Sequence, residues 1–444
     1  MPNKNSKKTA LKKAIKIALG CCFSLFASDS LLAQDSDPNL QDVEVVTVKG
    51  QKRDTLLQNA DVAVTVFTSE YIENSRIRGL RRIDDLLPNV QFNQSGQTSS
   101  VFATIRGIES SQDIVNRAGL YIDGIPFREL NNSVLDQIES IEVLRGPQST
   151  LYGANTEAGL FIVTSRKPQD YFEADIRLTN SYFNDENAYG VSSFLGGPII
   201  DQQLKGSIVL NYSKEDAFLQ NPFAPNISTA EIRESFVQGN LIYTPNDTLT
   251  VRSTFYIIET DAPGLYESEF VPLDRSAFDD NIFFNPFTQT VEGSFRELFH
   301  EGRNIGDFEF FSDVPKQTNE QDIVFGLGIE QALDFGSLDL AFSYAKLDED
   351  STGLDTDISA FRFQSGFAAD FKETWSGEAT FTSLDSDRFE YLFGISWYKE
   401  DRSFTRDISF FNPITNDYDG FGNVPELFAF AEDYAIFGST TFGL

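Results

Sequence analysis

From Tyr171 onward, apolar and polar residues alternate in runs of about ten, the period of a strand whose two faces meet different surroundings. Phe172, Ala174, Ile176 and Leu178 share one face, with Arg177 and Thr179 on the other. The next run closes at Gly196-Gly197-Pro198 and turns through Asp201 and Gln202 into Leu204, Gly206, Ile208, Leu210 and Tyr212. Val237, Leu241 and Tyr243 lead to a turn at Pro245-Asn246-Asp247, after which Leu249, Val251, Phe255 and Ile257 resume the pattern. Ile323, Phe325, Leu327 and Ile329 turn between Asp334 and Ser337 into Leu338, Leu340, Phe342 and Tyr344. A turn at Asp385 to Asp387 joins the run from Trp375 to Phe381 with Phe389, Tyr391, Phe393, Ile395 and Trp397, and a last strand covers Tyr434 to Phe442. The alternation predicts about ten strands, joined in sequence by short turns and longer loops.

Ahead of Tyr171 the pattern is mixed. A strand is expected from Val62 to Phe67, a helix near Ser69 to Asn74, and a second near Arg81 to Leu87 stopped by Pro88. Ile141 and Val143 mark a strand that breaks at Arg145-Gly146-Pro147, followed by a short helical or turn segment to Tyr152 and a β-rich run from Leu160 to Thr164. The fold class is therefore an α+β domain followed by a large antiparallel sheet.

Composition assigns a compartment. The first 33 residues read as a secretory signal peptide, with Lys4, Lys7, Lys8, Lys12, Lys13 and Lys16 ahead of an apolar centre from Ile17 to Phe26 and a cleavage site after Ala33. Both cysteines, Cys21 and Cys22, fall inside it. The whole chain has 35 basic and 67 acidic residues; losing six Lys and one Asp takes the net charge from −32 to −37. So acidic a surface repels nucleic acid. No other segment offers the roughly 18 to 20 continuous apolar residues of a membrane helix, yet Phe (42) and Tyr (15) are abundant. That pairing suits a membrane β-barrel with aromatic girdles, and the alternation alone suits a soluble β-sandwich equally. After cleavage the chain keeps one histidine, His300, and no cysteine, which removes thiol nucleophiles, most histidine-based triads and any Cys/His metal cluster. No spacing of a catalytic site is present, so neither an enzyme nor a bound cofactor is expected.

Three motifs carry a family resemblance. IESIEVLRGPQSTLYG (Ile138 to Gly153), continued by ANTEAGLFIVTSRKP to Pro168, stands downstream of FATIRGIES (Phe102 to Ser110) and AGLYIDGIPF (Ala118 to Phe127). In order and spacing they resemble the plug domain of TonB-dependent outer-membrane receptors. One departure is Ala154-Asn155-Thr156-Glu157-Ala158-Gly159, where many members have a basic first residue and a second glycine before the last.

The resemblance implies a signal peptide (1–33), a TonB-box segment (34–53), a plug (54–168) and the N-terminal part of an antiparallel transmembrane β-barrel (169–444). It places the protein in the outer membrane of a Gram-negative bacterium, with short turns toward the periplasm and long loops outside. A plugged barrel of 22 strands needs roughly 600 residues after the plug, and 274 run from Tyr171 to Leu444. About ten of the 22 strands are thus expected, within a longer chain. Asp42, Val43, Glu44, Val45, Val46, Thr47 and Val48 resemble the TonB box, which adds as a strand to the periplasmic energy-coupling protein. An ordinary first strand of the plug is the plainer reading of the same run. Arg106 and Arg145 match the plug arginines that pair with barrel glutamates to lock plug to barrel. The polar apices Asn93, Gln94, Ser95 and Gln97, and Ser111, Gln112, Asn116 and Arg117, are expected to face the ligand.

The implied partners are the TonB complex, outer-membrane lipid and an iron–siderophore complex, with iron entering only as part of the ligand. LRGPQSTLYG, the GGPI turn and KEDAFLQNPF (Lys214 to Phe223) look closest to receptors of the pesticin/yersiniabactin type. A lone histidine in a Phe-rich loop counts against haem, while cobalamin and oligosaccharides use the same scaffold. A truncated, non-transporting outer-membrane β-protein is the alternative from a different class.

Overall fold

Most of the buried apolar residues lie in and around a five-stranded mixed sheet built from the segment before Tyr171. The computed structural model describes residues 47–48, 50, 52, 55–57, 62–75, 77, 83, 85–93, 102–110, 117–127, 137–152, 156–183, 186–216, 231–262, 282–285, 290–294, 317–354, 364–384, 389–412, 414–420 and 426–442. β1 (Thr47–Val48) pairs with β2 (Thr55–Leu56). There follow β3 (Val64–Thr68), α1 (Ser69–Asn74), the pair β4 (Val90–Asn93) and β5 (Phe102–Ile105), β6 (Ala118–Ile122), β7 (Ile125–Phe127), β8 (Ile138–Arg145), α2 (Ser149–Tyr152) and β9 (Gly159–Ser165).

The sheet runs β3-β8-β9-β6-β7, with β6 and β9 parallel and the other neighbours antiparallel. β9 is buried at every position because both its faces are covered, so it reads as a continuous apolar run without alternation. Phe161 and Val163 join the larger core, while Leu160 and Ile162 pack with Leu144, Val64 and Tyr152 on the other side. α1 occupies the residues expected of it. Its start is set by Thr68, whose side chain accepts from Tyr71 N, and by Glu70 in the first turn. The expected strand from Val62 begins two residues later, at Val64. Of the helix expected over Arg81 to Leu87, Ile83 is helical and fully buried, and the turns at Asp85–Asn89 end it.

Gly159 is a tight joint of this domain, closed against backbone. A Cβ there would stand 2.4 Å from Leu144 O and 2.8 Å from Ile105 Cδ1. Gly159→Val should therefore destabilise the domain by about 1–3 kcal/mol, the usual cost of overpacking, read as a lower urea midpoint. An unchanged midpoint would contradict this packing.

The second sheet has eleven strands, in the order β10 (Glu173–Phe183), β11 (Glu186–Ile200), β12 (Leu204–Glu215), β13 (Ile232–Asn246), β14 (Leu249–Ala262), β17 (Gln317–Leu333), β18 (Gly336–Leu354), β19 (Gln364–Ser383) and β20 (Phe389–Asn412). β20 then pairs with both β21 (Asp417–Gly420) and β22 (Leu427–Phe442). A separate hairpin, β15 (Ile282–Asn285) with β16 (Thr290–Ser294), falls between β14 and β17 in the chain. All pairings in the large sheet are antiparallel. β10 and β22 each have a neighbour on one side only among the described residues, so the sheet is open there.

The ten long strands are the ten that alternation marks, but they run from 11 to 24 residues rather than about ten. Hydropathy reports only the part that faces lipid. On β20 the outward positions Phe389, Tyr391, Phe393, Ile395 and Trp397 span about 27 Å at 3.4 Å per residue, close to the apolar band of an outer-membrane barrel. Beyond it the same face carries Lys399 and Asp401 while pairing with β19 continues. At the short-turn end, Phe335, Phe381 and Tyr391 stand in a row at centroid spacings of 5.6 and 5.8 Å, and Phe389 meets Phe442 at 4.9 Å. This is the aromatic girdle of a membrane interface. On the inner face, Phe194, Val209, Phe236, Tyr256, Ile258 and Val324 are buried in one core with Ile105, Ile122, Ile125 and Phe161 of the first domain. The α+β domain is thus packed on the inner face of the sheet.

Candidate functional site: the plug–wall interface

Among the described residues, buried or part-buried polar side chains cross this interface at three places, with one exposed ion pair besides. At the first, the β6–β7 turn brings Asp123 (φ 51°) and Gly124 (φ 83°) round in the type I′ geometry that Asp-Gly favours. Asp123 Oδ1 accepts from Ser165 N at 2.9 Å. Its Oδ2 accepts from the Tyr256 hydroxyl of β14 and from Gln238 Nε2 of β13 at 3.5 Å. Behind them Gln238 Nε2 donates to Asn240 Oδ1 at 3.4 Å and Thr254 Oγ1 to the same oxygen at 2.7 Å. The carboxylate therefore ends a buried polar chain in the wall, which relieves the cost of desolvating it.

The second crossing uses Gln137, in a left-handed turn just before β8 (φ 59°). Its Nε2 donates to Asp175 Oδ1 at 3.2 Å and to Ser192 Oγ at 3.3 Å, and its Oε1 accepts from Arg166 Nη1 at 3.0 Å. Arg166 continues to Glu173 Oε2 at 3.0 Å and lies 4.2 Å from the centre of the Phe194 ring. Near the surface, Glu73 of α1 meets Arg177 of β10 at 2.5 Å, an exposed pair of small worth.

The third crossing is Lys52, between β1 and β2. Its Nζ lies 2.5 Å from Glu378 Oε2 on the inner face of β19, 5.0 Å from the Tyr152 ring and 4.3 Å from the Phe437 ring. Burial pulls the Lys52 ammonium below its ordinary pKa, against the opposing pull of Glu378. Burial likewise raises the phenols of Tyr121 and Tyr152, with Glu378 adding to both shifts. Tyr121 donates to Tyr152 O at 2.9 Å.

Arg145 lies at the other end of the small sheet's strands from Asp123, and the Arg106 side chain approaches Gly146 next to it. Arg145 donates to Pro88 O at 3.3 Å and to Thr65 Oγ1 at 3.2 Å, both within its own domain, and its buried Nε has no partner. Arg106 is exposed, at φ 53°, beside the groove lined by Asp85, Asn89, Gln91 and Thr104. Arg117 is exposed; its N donates to Ser110 Oγ at 3.0 Å, and its carbonyl accepts from Ala158 N at 2.8 Å. Of the other apex positions, Asn93 ends β4, and Gln94, Ser95, Gln97, Ser111, Gln112 and Asn116 lie outside the described residues. So do Asp42, Val43, Glu44, Val45 and Val46, and likewise His300, whereas Thr47 and Val48 form β1 against the chain's own β2. Among the described residues no three His, Cys, Asp or Glu side chains converge as metal ligands would.

Asp123, Gln137, Arg166, Lys52 and Glu378 were not singled out by the sequence. For Asp123 the Asp-Gly pair signals a turn and nothing about a partner in the wall; for Lys52 and Glu378 no local signal exists.

Residues 57–160 match the family model of the TonB-dependent receptor plug domain. The pesticin receptor of Yersinia enterocolitica (serotype O:8, biotype 1B) is 29% identical over 221 residues, which is 48% of this chain and 32% of that receptor. The ferrioxamine B receptor of Salmonella typhimurium (strain SL1344) is 30% identical over 189 residues, 40% and 26% of the two chains. The chain's match thus spans about a third or less of these curated relatives. Among solved structures, the ferric yersiniabactin uptake receptor FyuA from Yersinia pestis superposes with a TM-score of 0.53 at 18% identity, covering 85% of this chain and 61% of that one.

Proposed function

We infer, for a chain that belongs to the TonB-dependent receptor family, a receptor that imports a ferric siderophore across the outer membrane. One observation carries the reading: a plug domain of that family sits against the inner face of a strand array whose outer face is apolar over a membrane's depth. In this reading ligand binds the outer loops and the plug apices, and the segment from Asp42 to Val48 is offered to the periplasmic energy-coupling protein as an added strand. Work done on that strand then shifts the plug. The relative named as a ferrioxamine B receptor supports iron-linked cargo. The buried, unpartnered Nε of Arg145 supports a role in locking plug to barrel, since a guanidinium fork is best satisfied by a carboxylate.

Growth on a panel of iron chelates, by a strain that has no other ferric receptor and expresses this one, tests the cargo. At least one siderophore should support growth, and His300→Ala should leave that growth unchanged. Support by cobalamin or oligosaccharide uptake alone, or a haem requirement lost with His300, would overturn the siderophore reading.

A further inference from the structure

The segment from Gly50 to Lys52 bridges the plug and the wall. Gly50 N donates to Glu142 Oε2 of β8 at 3.1 Å, and the Gly50 backbone lies so close to Leu144 that an added Cβ would sit 2.4 Å from its Cδ2. Two residues on, Lys52 adopts a left-handed backbone (φ 56°), a conformation that a lysine keeps only where its surroundings hold it there. Those surroundings are the Glu378 carboxylate and the faces of Tyr152 and Phe437, which leave the side chain 12% exposed. Glu378 is itself braced by Thr380 Oγ1, which donates to its other oxygen at 3.1 Å. Only three residues separate Lys52 from Val48 at the end of β1.

We propose that Lys52 and Glu378 form a latch: the ion pair fastens the stretch between the coupling strand and the plug to the barrel wall, and traction on that strand must open it before the plug is loaded. This rests on the coupling role given above to the segment from Asp42 to Val48. The physical case is that the pair lies in series with the pulled strand. Force applied at residues 47–48 reaches Gly50 and Lys52 before it reaches β3, so the Lys52 contacts are the first to carry it to the wall. The pair is part-buried, with Lys52 12% and Glu378 31% exposed, so removing one partner leaves the other charge poorly compensated beside the plug.

The test reads the latch without transport. Val48→Cys introduces the sole cysteine downstream of residue 33 in this sequence, at a position that is 1% exposed, so its labelling by a maleimide–polyethylene glycol in outer-membrane vesicles reports how often β1 leaves its place. In that background Glu378→Gln should raise the labelling rate about tenfold. The swapped pair, Lys52→Glu with Glu378→Lys, should bring it back to within about twofold of the parent. Glu330→Gln, which removes the exposed partner of Arg252, should leave it unchanged. An unaltered rate in Glu378→Gln, or a swapped pair as fast as the single variant, would overturn the latch. Because neither cargo nor energy coupling enters this measurement, its failure is distinguishable from failure of the siderophore reading.

Discussion

A proline in place of Val46 should abolish energy-coupled uptake by the full-length receptor while leaving ligand binding intact. Strand addition draws its affinity from main-chain hydrogen bonds; proline removes one donor from the middle of Asp42 to Val48 and confines the residue before it as well. The intramolecular pairing Thr47↔Leu56 and Val48↔Thr55 lies just beyond the substitution, so β1 and β2 can persist. Uptake of radiolabelled ferric ligand at a saturating concentration should fall to that of a strain without the coupling protein, and equilibrium binding to whole cells should match the parent. Parental uptake in Val46→Pro would show that this run is an ordinary plug strand. Val46→Ala, which keeps the donor, is expected to transport.

The second large effect concerns Asp123. Asp123→Ala should free the β6–β7 turn from the wall, because Tyr256 Oη, Gln238 Nε2 and Ser165 N lose their shared acceptor inside a packed interface. Each stranded donor costs about 1–3 kcal/mol, and the three do not simply add. The plug should become sensitive to added protease, and the outer membrane should admit bulky antibiotics that the parent excludes. A double-mutant cycle isolates the contact: Asp123→Ala and Tyr256→Phe should be strongly non-additive, since either change alone breaks the same bond. Strict additivity would mean that the tyrosine is held by its ring packing, including its stack on Phe236 at 6.1 Å, and not by the carboxylate.

How much of this was legible in advance differs between the parts. The ten long strands follow from alternation, because in a sheet with lipid on one side every second side chain reports its surroundings. Their lengths do not follow, since β18 and β20 continue through Lys346, Asp348, Lys399 and Asp401 on the strength of their neighbours' backbone groups. β9 shows the converse: a strand covered on both faces carries no period, and it was recognised from its run of apolar residues and the motif around it. α1 forms where it was expected, with Thr68 as a local cap, whereas the second helix, expected to run to Pro88, has given way to turns by Asp85.

The site divides along the same line. Arg106 and Arg145 could be named from a motif, as could the segment from Asp42 to Val48, because a resemblance attaches to residues adjacent in sequence. The contacts that join plug to wall link residues 133 apart for Asp123 and Tyr256 and 326 apart for Lys52 and Glu378. By itself the sequence carried the two architectures, the family resemblance and the compartment that resemblance implies, since each of these is written in local period, composition or contiguous motif. Only the tertiary structure decided which wall positions meet the plug, because an inward-facing glutamate on β19 reads the same in sequence whether it faces water or a buried lysine, and its partner is chosen by where the plug packs on the sheet.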